Sequence, residues 1–80
     1  MKLYTFTSDT DYGLNTWLFA TRSEAEAAME AAVRPRFEDA YPAEAWPGPE
    51  EAAYRLSELV GWIDSFRLDE HEIALAGGEQ

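Results

Sequence analysis

Eighty residues carry 16 acidic and 6 basic side chains, a formal net charge of −10. A chain this short forms one domain and hides only about 60–65% of the surface its unfolded form exposes, so its core is small. The charge excludes direct binding to nucleic acid or to anionic membranes, while 46% hydrophobic and 14% aromatic residues exclude a disordered acidic tail.

Residues 2–7 are rich in strand formers, with Leu3, Tyr4 and Phe6 among threonines. Ser8 to Gly13 is polar and ends in glycine, which predicts a loop, and Asn15 to Ala20 predicts a second strand with Trp17 and Phe19 on one face. The pair reads as an antiparallel hairpin with a long acidic tip.

Thr21-Arg22-Ser23-Glu24 has the capping-box pattern, and Ala25, Ala28, Met29, Ala32 and Val33 follow as one apolar helical stripe. Pro35 is expected to end that helix near Arg34. Residues 34–49 hold all four prolines together with Phe37, Tyr41 and Trp46, which predicts a connector pinned to the body by its aromatics, with a short helical turn around Phe37–Tyr41.

Pro49-Glu50-Glu51 predicts a second helix start, with a stripe of Ala52, Leu56, Leu59, Val60 and Ile63 bordered by Trp62. Phe66 to Leu75 reads as a last strand whose alternation slips, so a bulge is expected at Asp69-Glu70-His71-Glu72. Residues 76–80 are expected to fray. The fold class is therefore α+β: a three-stranded antiparallel sheet with two helices packed on one face, in the order β-β-α-α-β, as one compact domain over 1–80.

No constellation of residues points to catalysis. Asp9-Thr10-Asp11-Tyr12-Gly13 touches on a calcium loop, but the closing glutamate would fall at Ala20 and strands replace the flanking helices. An Asx-type turn is the better reading. His71 is the only histidine and has no nucleophile or metal partner at a useful spacing, so it reads as an edge-strand residue. Cysteine is absent, which removes disulfides, thiol nucleophiles and thiolate metal sites and favours a reducing cytoplasm. No apolar run resembles a signal peptide or a membrane span. The expectation is a non-enzyme without cofactor or metal.

A charge of −10 on 9.0 kDa exceeds the magnitude of about 2–8 that solubility asks of a small domain. Carboxylates along a helix and two loops can imitate a run of phosphates and occupy a basic channel built for nucleic acid. The candidate contact residues are Asp9, Asp11, Glu38, Asp39, Glu44, Glu50, Glu51, Asp69, Glu70 and Glu72, with Trp46 as the candidate aromatic anchor.

The stretches Leu3–Asn15, Ala20–Ala27 and Leu68–Ile73 resemble small proteins of bacterial mobile elements. In size, acidity and strand–helix layout the chain is similar to the anti-CRISPR proteins of phages. That resemblance implies an inhibitor of a type I CRISPR-Cas surveillance complex in the bacterial host cytoplasm, bound where target DNA enters and acting as a DNA mimic. It transfers no functional residues. The competing readings are an acidic adaptor or accessory domain, possible as a homodimer through the sheet edge or face with Trp17, Trp46 and Phe66, and an immunity protein against a basic nuclease.

Overall fold

The computed structural model describes residues 1–74; Leu75 and the expected frayed tail at 76–80 lie outside the described residues. The elements are β1 (Lys2–Thr10), β2 (Gly13–Phe19), α1 (Arg22–Ala40), α2 (Pro49–Ser57) and β3 (Ser65–Glu72). The strands form one antiparallel sheet in the order β2-β1-β3. Phe6 of β1 packs beneath Met29, Val33 and Phe37 of α1 and Ala52, Ala53 and Leu56 of α2. The expected order and α+β architecture are those observed.

The hairpin departs from expectation. β1 runs to Thr10 and β2 begins at Gly13, so Asp11-Tyr12 is the whole turn and Asp9 belongs to a strand. Gly13 adopts φ 114°, a left-handed value that glycine tolerates without a Cβ clash. The Thr10 hydroxyl accepts the Tyr12 N–H at 3.1 Å, so threonine rather than aspartate closes the turn.

α1 begins as predicted. The Thr21 hydroxyl accepts the Glu24 N–H at 3.3 Å and donates to Glu24 Oε1 at 3.0 Å. It does not stop at Pro35 but continues to Ala40, absorbing the expected turn at Phe37–Tyr41 and shortening the connector to residues 41–48. The physical reason is Phe37, which is fully buried and carries the i+4 stripe of Ala25, Met29 and Val33 one turn further. Pro35 and Ala31 are exposed, so the Ala31 carbonyl that loses its helical donor can be hydrated. Arg34 bridges Glu30 and Glu38 across the proline, at 2.7 and 3.1 Å.

α2 starts at Pro49 as expected but ends at Ser57, whose hydroxyl donates to the Tyr54 carbonyl at 2.5 Å. Val60 and Ile63 therefore leave the predicted stripe and are exposed, with Gly61 at φ 80° between them. The expected bulge in β3 is absent: its register with β1 is unbroken from Ser65 opposite Asp9 to Glu72 opposite Lys2. The apparent slip arises because Glu70, not an apolar residue, follows Leu68 on the helix-facing side, and Ile73 lies beyond the strand.

Candidate functional site

All six basic side chains are held in ion pairs within the chain. Lys2 meets Glu70 at 3.2 Å, and Arg22 joins Glu26 and Glu50 at 3.0 and 2.8 Å. Arg34 holds Glu30 and Glu38, Arg36 reaches Asp64 at 3.6 Å, Arg55 meets Glu44 at 3.0 Å, and Arg67 meets Asp69 at 2.7 Å. The N-terminal ammonium takes Glu72 at 3.2 Å. The hydrogen bonds to Glu70, Glu26 and Glu30 raise Lys2, Arg22 and Arg34, respectively, above their ordinary pKa values.

These pairs divide the predicted contact acids into two groups. Glu38, Glu44, Glu50, Asp69, Glu70 and Glu72 each hold a cation, so their charge is locally compensated. Asp9, Asp11, Asp39 and Glu51 are exposed and have no such partner among the described residues. Glu24 and Glu58 join them, although sequence reasoning did not select either as a contact residue. Glu24 signals only as a cap, and Glu58 becomes distinctive only because α2 ends beside it.

Position separates the uncompensated acids further. Glu24 and Glu51 stand in first helical turns, where a carboxylate is stabilised by the positive end of the helix dipole. Asp39 lies in the last turn of α1, which contains no basic residue, and Glu58 is the C-cap of α2; both face the negative end of a dipole. Asp9 lies opposite Ser65 at the start of β3, next to Asp64, whose carboxylate reaches Arg36 of α1. The register and the Arg36–Asp64 pair place the hairpin end of β1, the start of β3 and the C-terminal half of α1 toward the same end of the molecule, with the Asp9 side chain on the sheet face away from the helices. Asp9, Asp11, Asp39 and Glu58 form its acidic end.

Trp46 is half-buried, edge-on to Phe37 with ring centroids 5.7 Å apart and beneath Arg34, so it pins the connector to the core. Trp17, on one face of β2 with Phe19 as read, stacks on Phe6 at 5.3 Å and remains 45% exposed. Phe66 is half-buried under the helices with Arg36 over its ring. His71 lies on the edge strand β3 with Nε2 2.9 Å from Thr5 Oγ1. A cleft of about 360 Å³ opens between α2 and β3, lined by Ala53, Tyr54, Ser57, Asp64, Phe66 and Arg67 among others. Among the described residues no group of three His, Cys, Asp or Glu side chains could hold a metal ion, and no helix is long and apolar enough to cross a membrane. Compared with protein families, curated proteins and solved structures, the chain matches none.

Proposed function

We propose that this chain is a non-catalytic acidic binding module that docks on a basic surface built for nucleic acid and excludes DNA from it. The observation that carries this reading is the placement of Asp9, Asp11, Asp39 and Glu58. These carboxylates are uncompensated, and Asp39 and Glu58 sit at helix C-termini where they cost stability. Solubility needs carboxylates but does not need them there; a partner rich in arginine and lysine would make the arrangement favourable. Ion pairing of every basic side chain within the chain supports the same reading, because no cation remains free to repel such a partner.

The resemblance to anti-CRISPR proteins supplies the partner to test first, a type I surveillance complex. Tagged protein is mixed with the assembled complex, washed at low and high salt, and assayed for target DNA binding by the retained complex. The expected result is retention at low salt, release at high salt and loss of DNA binding. A variant with Asp9→Asn, Asp11→Asn, Asp39→Asn and Glu58→Gln should no longer bind, whereas Glu24→Gln should bind normally. Salt-resistant retention, or full binding by the fourfold variant, would overturn the acidic-end reading. Binding of a purified basic nuclease in a parallel mixture, with no retention of the complex, would assign the chain to the immunity class.

A further inference from the structure

From Tyr12 to Thr21 the chain runs ten residues without a charge, its longest such run, although 28% of its residues are charged. That run contains all of β2, an edge strand. Edge strands are ordinarily guarded by lysine or other charges, proline or a bulge. β3, the opposite edge, has Arg67, Asp69, Glu70, His71 and Glu72. β2 has no such guard, and its pairing with β1 is unbroken from Thr10–Gly13 to Tyr4–Phe19. Its apolar side chains are uncovered: Leu14 is 68% and Leu18 63% exposed.

The register fixes which backbone groups are free. The Ile73 N–H donates to the Met1 carbonyl at 2.8 Å, in phase with the odd-numbered β1 residues opposite odd-numbered β3 residues. Antiparallel ladders alternate, so the even-numbered β1 residues bond to the odd-numbered residues of β2. The N–H and C=O groups of Leu14, Thr16 and Leu18 then point outward from the sheet. The side chains of these same residues lie on the face opposite the helices, alongside Thr5, Thr7 and Asp9.

We propose that β2 is a homodimer interface, pairing antiparallel with β2 of a second copy about a two-fold axis at Thr16. Thr16 then faces the partner's Thr16, and Leu14 faces the partner's Leu18. Each of these pairs exchanges two backbone hydrogen bonds, and the leucines flank the axis as two apolar cross-strand pairs. The two sheets become one six-stranded sheet with all the helices on one side. The occupant is a second copy rather than a foreign strand because Leu-Asn-Thr-Trp-Leu is symmetric in its leucines about Thr16. Electrostatics agree: two bodies of charge −10 can approach through their only long uncharged strip. This inference is independent of the acidic-end reading, which concerns the other free groups of the hairpin and both helix ends.

The test is sedimentation equilibrium of the full chain from micromolar concentrations up to about 1 mM, the weak limit of specific association. The expected mass is twice the 9.0 kDa of one chain at the upper concentrations. The double variant Leu14→Glu/Leu18→Glu should weaken association by about 100-fold or more, as should Leu14→Lys/Leu18→Lys. An equimolar mixture of the two should recover a dimer, because cross-strand pairing of position 14 with position 18 then brings Glu against Lys. Circular dichroism of each variant checks that the hairpin still folds. A wild-type mass of 9.0 kDa at every concentration would overturn the proposal. Dimers undiminished by the double-Glu substitution, or a mixture that stays monomeric while both variants are folded, would do the same.

Discussion

Replacing Pro35 with alanine should stabilise the protein, although the substitution lies in the middle of its longest helix. An interior proline costs about 3 kcal/mol relative to alanine through the lost N–H and the ring's clash with the carbonyl four residues back. Here that carbonyl belongs to Ala31, which is exposed and can bond to water, so part of the cost is already recovered. Alanine also frees the unfolded chain, which opposes the gain by about 0.4–1 kcal/mol. The net expectation is a gain of about 1–2 kcal/mol, and each kcal/mol raises the melting temperature of a domain this size by about 4–8 °C. Urea denaturation of Pro35→Ala against wild type, with matched m-values, measures it directly. A loss of stability would mean that the proline's bend is what carries Phe37 into the core, and the account of α1 as a helix extended against its proline would be refuted.

Phe37→Ala should lose about 3–5 kcal/mol, since it removes a fully buried ring packed 5.0 Å from Tyr41 and 5.7 Å from Trp46. An 80-residue domain has about 4–12 kcal/mol in total, so the urea midpoint should collapse, and a loss below about 1 kcal/mol would show that the core lies elsewhere. Asp39→Asn and Glu58→Gln should each leave stability unchanged or raise it slightly, because each removes a charge from the negative end of a helix; clear destabilisation in urea would contradict their assignment to binding. The hydrogen bond to Glu70 raises Lys2 above its ordinary value of 10.5, so its contribution is full below that pH and is lost as pH rises through the higher folded value. Wild-type stability should therefore fall more steeply than that of Lys2→Gln between about pH 10 and 12, and parallel alkaline profiles would remove the Lys2–Glu70 pair from the stability of the fold.

What the sequence made legible was local. The capping box at Thr21–Glu24, the stripe Ala25-Met29-Val33 and the start of α2 at Pro49 depend on neighbours within a turn or two, and each stands as read. The i,i+4 ion pairs of Arg22 with Glu26 and of Arg34 with Glu30 and Glu38 are equally local, at spacings that the helix itself dictates. The errors arose where distant residues outweigh local rules. Pro35 is the stronger local signal, but burial of Phe37 beside Tyr41, Trp46 and Arg55 is worth more than one helical hydrogen bond. Val60 and Ile63 continue a helical stripe on paper, yet no surface is left for them once Leu59 and Trp62 have reached the core.

The same limit explains why the candidate sites differ from the list of exposed acids. Exposure was predictable, because nearly every carboxylate in so small and acidic a domain is at the surface. Compensation was not, because Glu44, Glu50 and Asp64 meet arginines 11, 28 and 28 residues away only after the helices dock. The acids that remain uncompensated are informative because of the helix ends and strand positions they occupy. β2 presents the complementary case. Its alternation of Trp17 and Phe19 signals one buried face, but α1 and α2 lie chiefly over β1 and β3 and leave that edge open. A strand so apolar and so free of charge on both faces carries stability risk without return in a monomer. Pairing with its own copy removes that risk without bringing the acidic ends of two like-charged molecules together, since the two-fold at Thr16 turns one hairpin tip toward the other chain's α1 N-terminus.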